Sequence, residues 1–225
     1  MSINKSTTVA KPGKENLRDL SAERTRQEII GVATEEFATH GLTGARVDEI
    51  ARRTRTSKAM LYYYFGSKNG LYLAVMEDVY ASIRKAEEAA HIDHGATAAQ
   101  MLRAYVENTF DYHAEFPLFA RMISIENIHN ARFLKQSQQV KEMNRPLLET
   151  IKTILDRGVA EGAFRKDVKP LELHYVISSL CIFRISNGQT FGAIFDVDLA
   201  SPAIQKRQRK LVTETVLGLV AKRAA

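Results

Sequence analysis

Residues 46–68 read RVDEIARRTRTSKAMLYYYFGSK, and the fold prediction starts from this stretch. Apolar residues at helical spacing predict a helix of about two turns from Val47 and a second short helix from Ser57. Only residues 54–56 separate the two segments. Two short helices joined by a tight turn are typical of a helix-turn-helix, whose second helix enters the major groove of DNA. The stretch therefore predicts a DNA-binding module.

The first residues of the helix from Ser57 are the candidates for contact with base edges. They are small, polar or basic: Thr56, Ser57, Lys58, Ala59 and Met60. A lysine can donate hydrogen bonds to guanine O6 or N7, and Ala59 and Met60 can pack on a thymine methyl group. We therefore expect Lys58 and its neighbours to carry the sequence preference.

Three consecutive tyrosines at residues 62–64 come near the end of this helix. Successive helical residues point about 100° apart, so the three phenols cannot all face a core, and an outward phenol is a good phosphate donor. Ser67 and Lys68 then begin another helix, whose free N–H groups, dipole and ammonium suit one phosphate. The segment thus predicts phosphate contacts directly after the base-reading residues.

Between about Arg24 and Val79 the chain resembles the DNA-binding region of TetR-family repressors. The resemblance is carried by Phe37 and Gly41, and by VDEIA (47–51), SK (57–58), LYYYFGSK (61–68) and LY (71–72). The resemblance implies that Lys58, Ala59 and Met60 read bases. It also implies that Tyr62, Tyr64 and Lys68 bind phosphates.

Two positions depart from the family pattern. Ala45 and Arg46 stand where a Ser/Thr pair is usual before the helix that starts at Val47, so Arg46 replaces a hydroxyl–phosphate contact with a charged one. The N-cap of that helix is then either Thr43 or missing. Asn69 stands where an acidic residue is common. Neither departure changes the fold prediction.

Helical periodicity continues on both sides of this stretch. One helix is predicted from Ser21, as its N-cap, to Gly41, and another from Ser67 to Glu88. Five further helical segments are predicted: Ala96 to Glu115, Pro117 to Ile128, Phe133 to Glu161, Pro170 to Phe195, and Pro202 to Lys222. No alternating strand pattern is visible, so the predicted fold class is all-α.

Three parts are predicted along the chain. Residues 1–20 read as a flexible basic arm, and residues 21–68 as an N-terminal three-helix DNA-binding domain with the helix-turn-helix. Residues 69–225 form a C-terminal helical domain, to which the resemblance assigns ligand binding and dimerisation. The formal net charge of +6 is distributed accordingly, with +4 in residues 1–70, −3 in residues 71–198 and +5 in residues 199–225. A basic N-terminal part followed by an acidic central part is consistent with nucleic-acid binding by the N-terminal module alone.

Other classes of protein find little support. The sequence has no apolar run of the roughly 20 residues that span a bilayer and no secretory signal, so a cytoplasmic protein without membrane contact is expected. Cys181 is the only cysteine, which excludes an intramolecular disulfide. No catalytic or phosphate-binding motif is present, so no enzyme activity, cofactor or metal is predicted. His91, Asp93 and His94 are expected in a solvent-exposed loop rather than at a metal.

The larger C-terminal part carries weaker signals. The resemblance implies a ligand cavity among the middle helices and a dimer interface of four helices, from the last two of each subunit. Polar and aromatic residues that interrupt apolar faces are the ligand-binding candidates: Tyr105, Thr109, Tyr112, Met122, Glu126, Phe183 and Asn187. Each has the alternative of a hydrogen-bonded core group or a dimer contact. Arg184 can pair with an anionic ligand or with an acid on the partner helix.

The string FRISN at residues 183–187, with TF at 190–191 and IF at 194–195, resembles a subset of the family that regulates catabolism of aromatic or nitrogen-heterocyclic acids. The predicted function is thus a homodimeric repressor that a small-molecule effector releases from a palindromic operator in double-stranded DNA, with such an acid as the candidate effector. The interface is expected on the helix from Pro170 or on a face of the last helix, Val212, Val216, Leu219 and Val220. The alternative is a DNA-binding activator or architectural protein without a small-molecule ligand.

Overall fold

A computed structural model describes residues 14–89 and 95–222. Within these ranges the chain forms eleven α-helices: α1 (Lys14–Gly44), α2 (Val47–Arg53), α3 (Lys58–Phe65), α4 (Lys68–Ala89), α5 (Ala98–Glu115), α6 (Pro117–Ile128), α7 (Gln138–Met143), α8 (Arg145–Ala160), α9 (Pro170–Ser186), α10 (Gly188–Phe195) and α11 (Pro202–Val220). An isolated β-bridge joins Phe164 and Ala221. The all-α prediction is confirmed. None of the described helices is long and apolar enough to cross a membrane.

The first helix begins earlier than the sequence predicts. It starts at Lys14, so Ser21 is not its N-cap, and the prediction of an irregular arm is wrong for residues 14–20. Residues 1–13 of the predicted arm lie outside the described residues, as do His91, Asp93 and His94. At the other end, Gly41 has φ 68° and interrupts the helix where its end was predicted. A positive φ is a conformation that glycine adopts without a steric penalty.

Helices α1 to α3 are here called the head, and helices α5 to α11 the body. The two short helices of the head, α2 and α3, are held by local hydrogen bonds. Arg46 occupies the N-cap position of α2, but its side chain makes no capping hydrogen bond. Of the two alternatives, a cap from Thr43 or no cap, the second is therefore correct. Its own N–H donates instead to the buried Glu36 carboxylate of α1 at 2.9 Å. At the start of α3, the Ser57 hydroxyl accepts the N–H of Met60 at 3.2 Å, and Gly66 ends the helix with φ 71°. The first contact ties the start of α2 to α1, and the other two define where α3 begins and ends.

The head and the body share one hydrophobic core, here called the junction core. It contains buried residues of α1 to α4 together with Tyr112, Phe119, Met122 and Phe133 of the body. Tyr72 of α4 lies at its centre, with its ring 5.1 Å from that of Phe37 and 4.9 Å from that of Phe133, both edge-on. Helix α1 packs against both α4 and α6. A shift of the body relative to α4 therefore reaches the head through direct packing.

A second cluster, here called the body core, joins α5, α8, α9 and α11. Val212, Val216 and Val220 of α11 are buried in it. The prediction that these valines form a dimer interface is therefore wrong, because each already packs inside its own subunit. Leu219 is partly buried and packs against the same core.

Two long predicted helices are broken in the structure. The segment from Phe133 to Glu161 contains a 3-10 turn (Leu134–Gln136) followed by α7 and α8. The Ser137 hydroxyl caps the N–H of Val140 and starts α7, while Pro146 lacks the N–H that would continue it into α8. The segment from Pro170 to Phe195 is interrupted at Asn187, where ψ is 2°, and resumes at Gly188 as α10.

Gly158 of α8 has a packing role that can be tested. A Cβ atom at this position would overlap the ring of Phe164, which is buried in the body core. We expect Gly158→Ala to lower the free energy of unfolding by about 1–3 kcal/mol through overpacking, measured by urea denaturation. Gly31→Ala in α1 is the control, because a Cβ there meets no atom within 4 Å. An equal loss of stability in both variants would contradict this explanation.

Candidate nucleic-acid interface and regulatory site

Helix α3 presents the predicted base-reading residues on an open surface. Leu61 is buried and anchors the helix to the head, whereas Ser57, Lys58, Ala59 and Met60 are all exposed. Thr56, just before them, is half-buried, and its N–H donates to the Ala51 carbonyl. The arrangement leaves the N-terminal turn of α3 free to enter a groove.

The three tyrosines differ in exposure. Tyr62 is exposed, Tyr64 is half-buried against the head, and Tyr63 is the most exposed, at 79%. The rings of Tyr63 and Tyr64 meet edge to face, with centroids 5.5 Å apart. The sequence predicts phosphate contacts from Tyr62 and Tyr64, whereas in the structure Tyr63 presents the most accessible ring of the three. Which of the three tyrosines is most exposed depends on how α3 packs against the other helices. Three identical residues in a row give no indication of that packing.

Lys58 is held by an ion pair. Its ammonium lies 3.0 Å from a carboxylate oxygen of Asp48 on α2, and both groups are exposed. The hydrogen bond with Asp48 raises the pKa of Lys58. An exposed pair of this kind contributes little stability. Contact of Lys58 with a base would therefore exchange one weak ion pair for another polar contact.

Lys68 connects the start of α4 to the last turn of α1. Its ammonium donates to the Thr43 carbonyl at 3.1 Å, and the neighbouring Ser67 hydroxyl accepts the N–H of Gly70 at 3.0 Å. Lys68 is half-buried, so its charge is placed at a defined point beside the N-terminus of a 22-residue helix. That combination suits a phosphate group.

The arginines around the turn fall into two groups. Arg52 pairs with Glu49 at 2.6 Å, and Arg53 pairs with Glu35. Arg46 and Arg55, by contrast, are exposed and have no ion-pair partner in the part of the chain that the structure describes. From the sequence, the basic cluster of Arg52, Arg53 and Arg55 beside the turn is predicted to face DNA. Arg55 occupies the turn between α2 and α3 with φ 50°.

The predicted ligand-binding residues do not all meet at one site. Tyr105 and Thr109 are buried on α5, where the Thr109 hydroxyl donates to the Tyr105 carbonyl at 2.8 Å, and burial raises the pKa of Tyr105. Tyr112, which stacks on Phe116, and Met122 both belong to the junction core, and Glu126 is buried on the same helix as Met122. Phe183 and Asn187 lie on the surface of α9 and at its end.

Glu126 is almost completely buried and has local partners. One carboxylate oxygen accepts the N–H groups of Phe133 and Leu134, at 2.7 and 2.9 Å. The Tyr72 hydroxyl lies beside the same carboxyl group. Burial, together with the charge of Glu126, raises the pKa of Tyr72. Glu126 thus holds the turn after α6 against the junction core.

The buried charge of the body is Arg184 on α9. Its side chain is 6% exposed, donates to the Phe110 carbonyl at 2.7 Å and lies 3.7 Å above the Phe110 ring. Neighbouring His113 is also buried, and burial, followed by the charges of Arg184 and Arg84, lowers its pKa to about 4. His113 is therefore neutral near pH 7. The residue types gave no sign that Arg184, rather than Phe183 or Asn187, faces inward.

Two family descriptions match the chain. Residues 29–75 match "Bacterial regulatory proteins, tetR family", and residues 99–216 match "Tetracyclin repressor-like, C-terminal domain". The chain is similar to the HTH-type transcriptional repressor NicS of Pseudomonas putida, with 34% identity over 187 residues that cover 83% of this chain and 88% of that protein. It is similar to the HTH-type transcriptional repressor SCO4008 of Streptomyces coelicolor, with 30% identity over 63% of this chain and 70% of that protein.

A solved structure shows the same architecture. The crystal structure of SCO4942 from Streptomyces coelicolor has a TM-score of 0.66 and 26% sequence identity, and the match covers 87% of this chain and 98% of that one.

Proposed function

Because the chain belongs to the TetR family of bacterial transcriptional regulators, we propose that it is a dimeric repressor that a small-molecule effector releases from a palindromic operator. The observation that carries the proposal is the open N-terminal turn of α3, with Lys58 at its first position. Beside that turn stand the unpaired cations Arg46 and Arg55. The two relatives named above are both repressors, which supports repression rather than activation.

We assign the DNA contacts by their geometry. Exposed Lys58, Ala59 and Met60 read bases from the start of α3. The phosphate contacts surround that turn: Arg46, Ser57, Tyr62, Tyr64 and Lys68, with Thr56 and Arg55 at the turn, and Tyr63, which its exposure adds.

The dimer is proposed to form through α9 together with α11. Leu171, Tyr175 and Phe183 are all more than half exposed and recur at multiples of four along α9, so they form one apolar stripe. Leu211 of α11 is exposed to a similar degree. An apolar stripe of large side chains on a monomer is typical of a subunit interface. A two-fold axis there would hold two α3 helices for adjacent major grooves.

Effector control requires a path from the body to the head. Helix α4 supplies one, because it runs from Lys68 at the proposed phosphate site to the body, and α1 packs directly against α6. An effector that favours a different packing of α5 and α6 would change the spacing of the two heads. The shift is limited by the difference in its affinity for the two conformations.

The DNA-binding role is tested with Lys68→Ala. We expect it to weaken binding to operator and unrelated DNA by similar factors, and to reduce the slope of log affinity against log salt by about 1, because Lys68 contacts a phosphate. Lys58→Ala should instead relax the preference at one base pair. Fluorescence anisotropy at several salt concentrations measures both effects.

Lys166→Ala is the matched control, since it removes the same charge from an exposed position in the body. Thermal unfolding of Lys68→Ala checks that loss of the contact to the Thr43 carbonyl leaves the head folded. A changed sequence preference with an unchanged salt slope would contradict the phosphate role of Lys68.

A further inference from the structure

We propose that the body binds the carboxylate of a small aromatic acid at Arg184, in a cavity between α9, α10 and the turn that follows α10. This inference rests on the proposed effector-controlled repressor and names the site and the chemical class of that effector. The sequence leaves Arg184 with two possible partners, an anion or an acid on a partner helix. The space beside Arg184 and its uncompensated charge favour the anion, and the remaining charges of the cavity define what else the ligand must carry.

The first property is space. Arg184 lines a half-open cavity of about 600 Å³, together with Ala114 and Pro117 of the α5–α6 corner and Gly188 of α10. Cavities of several hundred Å³ are the usual size for small-molecule sites. Its walls include the apolar side chains of Ile185, Val197 and Leu199, which suit a flat ring.

The second property is an uncompensated charge. Arg184 makes no ion pair within 4 Å in residues 14–89 and 95–222, although its side chain is more than nine-tenths buried. Asp111 is the acid with an electrostatic influence on Arg184, but its carboxylate is bound by Arg209 at 2.9 Å. A buried cation without a counter-ion is costly, and a guanidinium offers two parallel donors to a carboxylate. Among the residues that the structure describes, Arg184 makes one donor contact, to the Phe110 carbonyl.

The third property is the negative charge carried by other residues of the cavity lining. Asp196 and Asp198 line it and are exposed. Asp198 accepts the N–H of Ala200 at 2.9 Å, which fixes one of its oxygens. A plain anion would meet repulsion from these two carboxylates. A ring with a carboxylate at one end and N–H or O–H donors at the other satisfies both Arg184 and the aspartates.

The position of the cavity connects it with the head. Ala114 and Pro117 flank the corner at which α5 turns into α6, and Phe119 of α6 belongs to the junction core shared with α1. A ring in the cavity would thus touch the start of the helix that packs on the DNA-binding head. This contact gives the ligand a way to bias the spacing of the heads.

The test uses 4-aminobenzoate and its neutral counterpart 4-aminobenzamide as probes, with titration calorimetry on the full-length dimer without DNA. We expect the acid to bind about tenfold or more tightly than the amide. Arg184→Gln should lower acid affinity to that of the amide, while its amide N–H can still donate to the Phe110 carbonyl. Gly188→Leu should block both probes by filling the cavity, since a Cβ at Gly188 meets no atom within 4 Å.

Lys166→Ala serves as the control and should bind both probes like the unmodified protein. The site assignment is overturned if the acid does not bind, if acid and amide bind equally, or if Arg184→Gln leaves the difference intact. Operator binding is then measured with the acid present. Binding at Arg184 without operator release supports the site and contradicts effector control, whereas release by other compounds, with no binding of 4-aminobenzoate, contradicts the site alone.

Discussion

Replacement of Tyr175 and Phe183 together by aspartate is expected to convert the protein to a monomer and to lower operator affinity by about a hundredfold to ten-thousandfold. Both side chains are large, apolar and more than half exposed on one stripe of α9, at 72% and 51%. Two added charges on this stripe would meet their symmetry mates across a two-fold interface. In a dimer, binding of one recognition helix holds the second at a high effective concentration near its half-site. A monomer loses this advantage, which accounts for the large expected decrease in affinity.

Sedimentation velocity measures the assembly state, and anisotropy with a full palindrome and a half-site measures DNA binding. Half-site affinity should change little, because α3 is untouched. Asn108→Asp with Gln139→Asp is the matched control, since it adds the same two charges at exposed positions outside α9 and α11. A double variant that stays dimeric would place the interface elsewhere. Leu219→Asp is a poorer test, because Leu219 packs against the body core.

Glu126→Ala is expected to lower the free energy of unfolding by about 3–5 kcal/mol. The substitution leaves the buried N–H of Phe133 and the part-buried N–H of Leu134 without an acceptor, and it opens a cavity beside Tyr72. The loss should also weaken operator binding, because Phe133 then no longer holds Tyr72 against Phe37. Urea denaturation measures stability, and anisotropy measures DNA binding.

Glu126→Gln provides the matched comparison. Its amide oxygen can accept the same two N–H groups, so we expect a loss of about 1 kcal/mol or less. Equal losses for alanine and glutamine would mean that the backbone contacts contribute little and that the cavity dominates. If Glu126 instead bound the effector, Glu126→Gln would abolish the response to that compound at full stability, which the observed contacts do not favour.

The DNA-binding head was predictable because its signals are local. Ser57 caps α3, Gly66 ends it at positive φ, and the contact residues follow one another in the chain. Interactions of this kind span fewer than five residues, so their geometry depends little on the rest of the protein. The same reasoning predicted α6 with its observed bounds, Pro117–Ile128, from the proline at its start.

The breaks in the longer helices were less predictable. Ser137 becomes a cap only because the turn before it is held by Glu126, eleven residues earlier, and its hydroxyl also donates to Glu77 of α4. Without those contacts the apolar spacing from Phe133 onward is compatible with one continuous helix. Helix breaks that depend on distant partners leave little trace in local periodicity.

By itself, then, the sequence determined the fold class, the family and the position of α3 in the helix-turn-helix, because each rests on spacing and capping within a few turns. Only the tertiary structure decided which side of each body helix faces inward. Helix α9 is apolar on most of its surface, so its pattern could not show that Arg184 points into the subunit while Tyr175 and Phe183 point out. On α11 the valine face predicted for the interface was taken by the body core. The direction of a uniformly apolar helix is set by the neighbours that bury it, and those neighbours come from distant parts of the chain.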